Sequence, residues 1–452
     1  MHLGLGAFHR AHQAHYTEDA NPLAGSDWQI EAVAMRNPAL AQALAAQNYR
    51  FTLVEQASNA PRTHTIDVIK KAYVLPHDPM RVVRRMADPD VHIVTLTVTE
   101  KGYGADLNAR SLDRSDPKIQ HDTAEPSGVP QSLPGLLAAG LDARRTAGGS
   151  GMSLLSCDNL PDNGGLLRRL VTEMARSWST DLARWVETTC CFPSCTVDRI
   201  TPAPDTALLE ATGDPVAVAT EPFRQWVIED NFAGPRPDWE HAGALFVPDV
   251  APFEMMKLRM LNGAHSLLAY LGCLADIPAI RDTMSNSGLR ALAIRHMNGV
   301  ARTLPELPGI STDEYAQDLI DRFANKAIDH RCLQIAMDGS QKMPQRILNP
   351  ASDLIAMGAD FDTCALAFAA WVRFAEGKSD GGAVLDMNDP KRDEIKAALA
   401  QAAPNPGAKI AAVFDAAQLV SPGPEFEGRA ADFLNQLDKS GAVGTVAARV
   451  GT

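Results

Sequence analysis

The chain opens on HLGLG followed by AFHRAHQAHYTEDA, which reads as the end of a β-strand, a glycine turn and a helix. A strand that turns straight into a helix starts a βαβ unit, which directs this half of the chain toward a parallel sheet with crossover helices. Gly4 and Gly6 form the G-x-G half of a dinucleotide fingerprint, in which bare backbone lets a pyrophosphate reach a helix N-terminus; the third glycine is absent. Met1 already stands inside the strand, so a few residues are expected upstream of it. Further strands are expected at 28–35 (WQIEAVAM), 91–103 (VHIVTLTVTEKGY) and 152–157 (MSLLSC), with a short one within 192–202 (FPSCTVDRITP). Ligands gather at the carboxyl ends of such strands, which places Thr99 and Glu100 near a cofactor. The acid that often follows the second strand in NAD-binding sheets is missing; Arg36 and Asn37 stand there, and an arginine can accommodate the 2′-phosphate of NADP.

A chain of 452 residues exceeds what one core usually serves, so two domains are expected. Glycine and proline accumulate in FAGPRPDWEHAGALFVPDVAPF, which sets the change of domain near residue 248 and gives domains of 1–248 and 249–452. Beyond it, helical patterns run at 254–272, 285–300, 312–330, 351–376, 390–402 and 408–416. The expected fold class is therefore α/β: a Rossmann-type doubly wound domain followed by a mostly α-helical one. A net charge of −13 opposes nucleic-acid binding. No run approaches the roughly 20 apolar residues needed to cross a bilayer, and no leader pattern opens the chain, so a cytoplasmic protein acting on a small molecule is expected. Seven cysteines without a C-x-x-C pair suit reduced thiols used in packing. His9, His12 and His15 drift by about 60° per step on a helix, and no nearby ligand completes a set, so no metal is expected. Nothing in the sequence sets an oligomeric state.

The stretch 254–272, EMMKLRMLNGAHSLLAYLG, concentrates chemistry on one helix. With Lys257 at zero and about 100° per residue, Glu254 falls near about 60°, His265 near about 80° and Asn262 near about 140°. Met256, Met260, Leu267 and Leu271 take the other side, so the polar arc should line a cavity. A lysine desolvated there can have its pKa drawn from about 10.4 to roughly 7–8 and serve as a general base. Asparagine and histidine can donate to an oxygen that gains negative charge. Such a set can oxidise an alcohol without a metal.

Written K-x-x-x-x-N-x-x-H, this stretch resembles the signature of the polyol-specific long-chain dehydrogenases and reductases. GLGAFHRAHQ, TLTVTEKGY, DNLPDNG and VDRITP resemble the same family, and the resemblance runs from Gly4 to about residue 440. It implies that Gly4, Gly6, Phe8 and Arg10 serve the cofactor, with NAD the more usual partner. It implies that Lys257 takes the hydroxyl proton, that Asn159 and Asn262 hold the reacting oxygen, that His265 orients the substrate, and that Glu254 relays the proton toward solvent. Asp198, with Arg199 beside it, is implied to contact substrate. The helical domain is implied to be similar to that of 6-phosphogluconate dehydrogenase. The cation-rich RFANKAIDHRCLQIAMDGSQKMPQR offers Lys342 and Arg346 for an anionic or polyhydroxyl substrate, with Gln334 able to bond hydroxyls or a carboxylate oxygen. QIAMDGSQKMPQR, EPFRQWVIEDNF and MKLRMLNG are most similar to the branch that reduces fructuronate to mannonate, with mannitol–fructose interconversion as the alternative. Two other classes bear weighing: a zinc-dependent dehydrogenase, for which suitably spaced ligands are lacking, and a non-catalytic sugar binder, which would not need Lys257.

Overall fold

The computed structural model describes residues 1–57, 60–107, 109–203 and 206–450, apart from the side chain of residue 450. It divides into two compact units, Met1–Ala251 and Pro252–Thr452.

In the first unit five parallel strands lie in the order Ile69–Val74, Ile30–Ala34, His2–Leu3, Ile93–Leu96, Ser153–Ser156. The chain starts at the centre of this sheet, builds outward to one side and then to the other, which is the doubly wound arrangement. Both faces are covered. Along Ile30–Ala34, Val33 joins one apolar cluster while Ile30, Ala32 and Ala34 join another, as the two-residue period of a strand requires. Helix Leu133–Thr146 begins where the Ser132 hydroxyl accepts from the Gly135 amide, and its leucines pack the first cluster. The unit also holds two three-stranded sheets, Val218–Thr220 with Phe51–Glu55 and Arg62–Ile66, and Cys195–Asp198 with Gln225–Glu229 and Leu245–Val247, and a two-stranded one, Ala105–Asp106 with Ser111–Leu112. The strand expected over 91–103 stops at Leu96, and the following residues leave the sheet for a short 3-10 turn at Glu100–Gly102. Ile69–Val74, Phe51–Glu55 and Arg62–Ile66 are strands that sequence patterning missed.

The second unit is helical. Helix Gly263–Leu274 is buried along its whole length, and Asp362–Ala375 is nearly so, with Phe368 stacked on Phe414 at 4.4 Å. Such helices carry apolar side chains all round because they are central. The helix expected over 351–376 is two, Asn349–Ala356 and Asp362–Ala375, separated at Gly358, whose φ of +63° ends the first. The helix expected over 312–330 ends at Phe323. The long C-terminal helix Pro424–Val450 was not expected; it packs on Asp362–Ala375 and breaks at Gly441. Among the described residues no helix is long and apolar enough to cross a membrane.

Candidate active site

At the carboxyl ends of the first unit's central strands stand the residues expected to serve a dinucleotide. Gly4 follows the strand His2–Leu3 with φ +107°, and a Cβ there would lie 2.0 Å from the Thr97 carbonyl oxygen, so the protein itself demands glycine. Gly6 differs: a Cβ would meet nothing closer than Gly4 O at 3.6 Å, so its bare backbone leaves open space for a ligand before the helix Ala7–Ala11. That open cradle, beside the point where the strand order reverses, fits a pyrophosphate. Phe8 is half-buried and stacks on His12. Arg36 and Asn37 are exposed after Ile30–Ala34, and the Asn37 side chain accepts from the Ala39 amide.

Thr99 is exposed with φ +68°, a conformation a β-branched residue adopts only under constraint. The constraint is Asp158, which accepts from the amides of Val98 and Thr99 at 3.0 Å each and from the Tyr103 hydroxyl at 2.9 Å. Burial raises the Asp158 pKa, with these hydrogen bonds opposing the shift. Asp158 therefore holds the loop carrying Thr99 and Glu100, a task the sequence did not disclose. Its neighbour Asn159 is exposed just beyond the strand Ser153–Ser156.

Two arginines expected near ligands point into the protein. Arg10 is buried, donates to the carbonyls of Gly6 and Val216, and lies over Phe51. Arg199 pairs with Glu55 at 2.6 Å and donates to Ala11 O, Glu221 O and His15 Nδ1. Asp198 is buried at the end of the strand Cys195–Asp198. His15, Glu55 and His64 bring ligand-type atoms within 4.8 Å of one another. An arginine can only donate, so His15 Nδ1 accepts and the ring hydrogen sits on Nε2, the nitrogen a metal would need. The cluster reads as an ion-pair network. His9 and His12 turn elsewhere, to Gln13 Oε1 and Gln225 O.

In the second unit the helix expected over 254–272 has three parts: α-helix Ala251–Met256, a π-helical turn Lys257–Asn262, and α-helix Gly263–Leu274. Steps of 100° do not hold through the middle part. A π turn bonds residue i to i+5. Its bonded pair takes the place of the i, i+4 pair of an α-helix, about 40° apart around the axis. Asn262 is thereby drawn over Lys257 instead of standing about 140° round from it. His265 follows one α-turn later, 8% exposed, stacked on Phe323 at 4.3 Å with the edge of His330 at 5.1 Å. Neither the Asn262 amide nor the His265 ring nitrogens have a hydrogen-bond partner among the described residues. Burial, then the nearby charges of His330, Arg322 and Arg346, hold the His265 pKa well below its usual value, so the ring is neutral. Lys257 and Glu254 are half-buried.

A second π turn, Pro344–Leu348, carries Arg346 and packs against the first. Arg346 is mostly enclosed and donates to Ser266 Oγ at 3.2 Å; among the described residues no carboxylate pairs with it. Burial lowers its pKa. Lys342 donates to the carbonyls of Met337 at 2.6 Å and Ile335 at 3.3 Å, and burial followed by the charge of Arg346 lowers its pKa. Gln334 is exposed on the short helix Cys332–Ile335. Gly263 was overlooked in the sequence: a Cβ there would come within 2.6 Å of His296 Nε2 and 3.1 Å of the Arg346 carbonyl oxygen. A larger residue there would crowd His296 and press on the backbone of the second π turn.

Comparison with known proteins gives two family models, the mannitol dehydrogenase Rossmann domain over residues 1–241 and the mannitol dehydrogenase C-terminal domain over residues 249–429. The D-mannonate oxidoreductase of Escherichia coli (strain K12) is 42% identical over 412 residues, covering 89% of this chain and 85% of that protein. A mannitol 2-dehydrogenase of Neosartorya fischeri is 36% identical, covering 88% and 82%. Among solved structures, the Pseudomonas fluorescens mannitol 2-dehydrogenase ternary complex with NAD and D-mannitol aligns at TM-score 0.80 with 33% identity, covering 100% of this chain and 94% of that one. A D-sorbitol dehydrogenase in substrate-free form aligns at 0.91 with 28% identity, covering 98% and 94%.

Proposed function

The chain belongs to the mannitol dehydrogenase family, and from that premise we propose that it interconverts a keto-sugar acid and its aldonate, D-fructuronate and D-mannonate, with NAD as the hydride carrier. When bound, the nicotinamide supplies the acceptor for the hydride leaving the carbinol carbon. Gly4, Gly6, Phe8, Thr99 and Glu100 hold the dinucleotide, with Arg36 and Asn37 beside its ribose. Lys257 takes the hydroxyl proton, and Glu254, one turn earlier, passes it toward solvent. Asn262 and neutral His265 donate to the oxygen as charge develops on it. Asn159 keeps the amide-donor role that its segment implies, and Asp198 a contact to substrate hydroxyls. Arg10 and Arg199, which the protein itself occupies, are left as supports.

The observation that carries the acid over the polyol is Arg346, an enclosed guanidinium without a carboxylate partner among the described residues, on a turn packed against that of Lys257. Burying such a charge is costly unless something anionic meets it. A substrate carboxylate does so, with Lys342 alongside. The 42% identity to a D-mannonate oxidoreductase supports the same reading; the structural likeness to a complex with D-mannitol favours mannitol–fructose interconversion as the second. The test is initial rates on D-fructuronate and D-fructose for the native protein, Arg346→Met and Lys342→Met. Arg346→Met is expected to lower kcat/KM for fructuronate by about 10²-fold or more, the loss typical of a buried charge partner, with under tenfold change for fructose. Equal losses on both substrates, or faster native reduction of fructose, would reverse the ranking.

A further inference from the structure

His296 takes no part in the chemistry above. It lies on helix Ser287–Ala301 with no exposed surface, in the second unit. Its Nδ1 meets Thr363 Oγ1 at 3.1 Å. A threonine hydroxyl donating to Nδ1 places the ring hydrogen on Nε2. That nitrogen faces Gly263, the residue directly after the first π turn, so closely that an added Cβ would stand 2.6 Å away. Nε2 itself is buried and has no hydrogen-bond partner among the described residues, and burial lowers the pKa of the ring. The Arg346 carbonyl converges on the same glycine from the second π turn. Arg259 anchors the first turn from its other side, reaching Asp353 at 2.6 Å and Thr303 O at 3.2 Å.

A π turn is rare because it inserts one residue into a regular ladder, so where it falls along a helix is set by what packs against it. Here the surroundings include one imidazole at the point where both turns meet. We propose that His296 is a positioning residue that sets the Lys257–Asn262 turn against the Arg346 turn, so that the proton acceptor and the carboxylate-binding cation keep one spacing. This rests on the reading of Lys257 and Arg346 given above. Leucine at 296 fills similar space without a polar edge, whereas glutamine can return an N–H near Nε2.

The experiment compares the full-length native chain with His296→Leu, His296→Gln and Gly263→Ala by circular dichroism, thermal melting, NADH binding and steady-state kinetics. His296→Leu is expected to lose kcat by on the order of 10²-fold, as misplacement by about 1 Å can cause, with NADH affinity unchanged. It should also flatten the fructuronate-to-fructose ratio of kcat/KM. His296→Gln should recover most of both, and Gly263→Ala, which crowds the same contact, should slow turnover while staying folded. A folded His296→Leu or Gly263→Ala with native kcat and native substrate ratio overturns the proposal, as does a loss of melting temperature with unchanged kinetics. If the leucine variant does not fold, Gly263→Ala decides by the same criteria, and a folded His296→Gln that fails to recover kcat and ratio overturns the proposal as well. An unaltered ratio in Arg346→Met sinks the substrate reading alone, because the kcat of the His296 variants still reports on Lys257.

Discussion

Lys257 carries the most direct residue-scale expectation. Lys257→Ala should lower turnover by about 10²–10⁴-fold, the usual contribution of a general base, while NADH titration by fluorescence shows binding intact; near-normal kcat at neutral pH would remove lysine from the role. Arg36 bears on the coenzyme. Exposed after the strand Ile30–Ala34 and lacking a neighbouring acid, it predicts modest discrimination between NAD(H) and NADP(H), and a kcat/KM ratio above about 10⁴ would place the choice elsewhere. Lys257, Asn262 and His265 could be grouped as a candidate set from the sequence because they sit within one turn or two of each other. Asp158, Gly263 and His296 were not, since their tasks depend on groups from other elements: Thr99 and Tyr103 for the first, Arg346 for the second, Thr363 for the third. Sequence also left open which way an arginine points, and Arg10 and Arg199 point inward.

Among the elements, the glycine turn and the π turns dominate. Gly4→Ala would force a Cβ to 2.0 Å from the Thr97 carbonyl at a φ of +107°. A loss of about 2–4 kcal/mol in urea unfolding is expected from the combined clash and strain, together with weakened NADH binding; a native midpoint would mean that the strand end relaxes freely. The helix around Lys257 was legible as a helix from its apolar spacing. Its π turn was not, because the sequence there has no proline or glycine break before Gly263, and the extra residue is accommodated by packing against Pro344–Leu348 and Ser287–Ala301. The short strand Arg62–Ile66 escaped notice because it is polar and mostly exposed at the edge of its sheet, where pairing leaves little periodic signal.

Across the molecule, buried histidines couple stability to pH. Burial holds His296 at a pKa of about 4, His2 and His12 at about 3 and His15 at about 2, with His9, His265 and His330 also lowered. Each folded value lies below the unfolded value near 6.5, so between the two the unfolded chain binds more protons. Their contribution is complete above about pH 6.5 and is lost as pH falls toward the folded values, at up to about 1.4 kcal/mol per pH unit for each histidine. Both units hold such residues, so thermal midpoints should fall steeply between pH 6.5 and about 4.5 at constant ionic strength. A flat profile over that range would mean that the rings charge without unfolding.

What the sequence by itself determined follows from local periodicity and local chemistry. The strand, glycine turn and helix at the start dictate a parallel sheet, the apolar spacing beyond Val250 dictates helices, and K-x-x-x-x-N-x-x-H gathers three polar groups on one helix. What only the tertiary structure decided is how those groups are set. The glycine on which His296 and the Arg346 carbonyl converge and the carboxylate that clamps Thr99 join residues far apart in the chain, and the π turn that draws Asn262 over Lys257 is packed against the distant segments Ser287–Ala301 and Pro344–Leu348. Spacing along one helix cannot encode them, because the partner that settles a backbone register or a side-chain direction arrives from another element only once the core has formed.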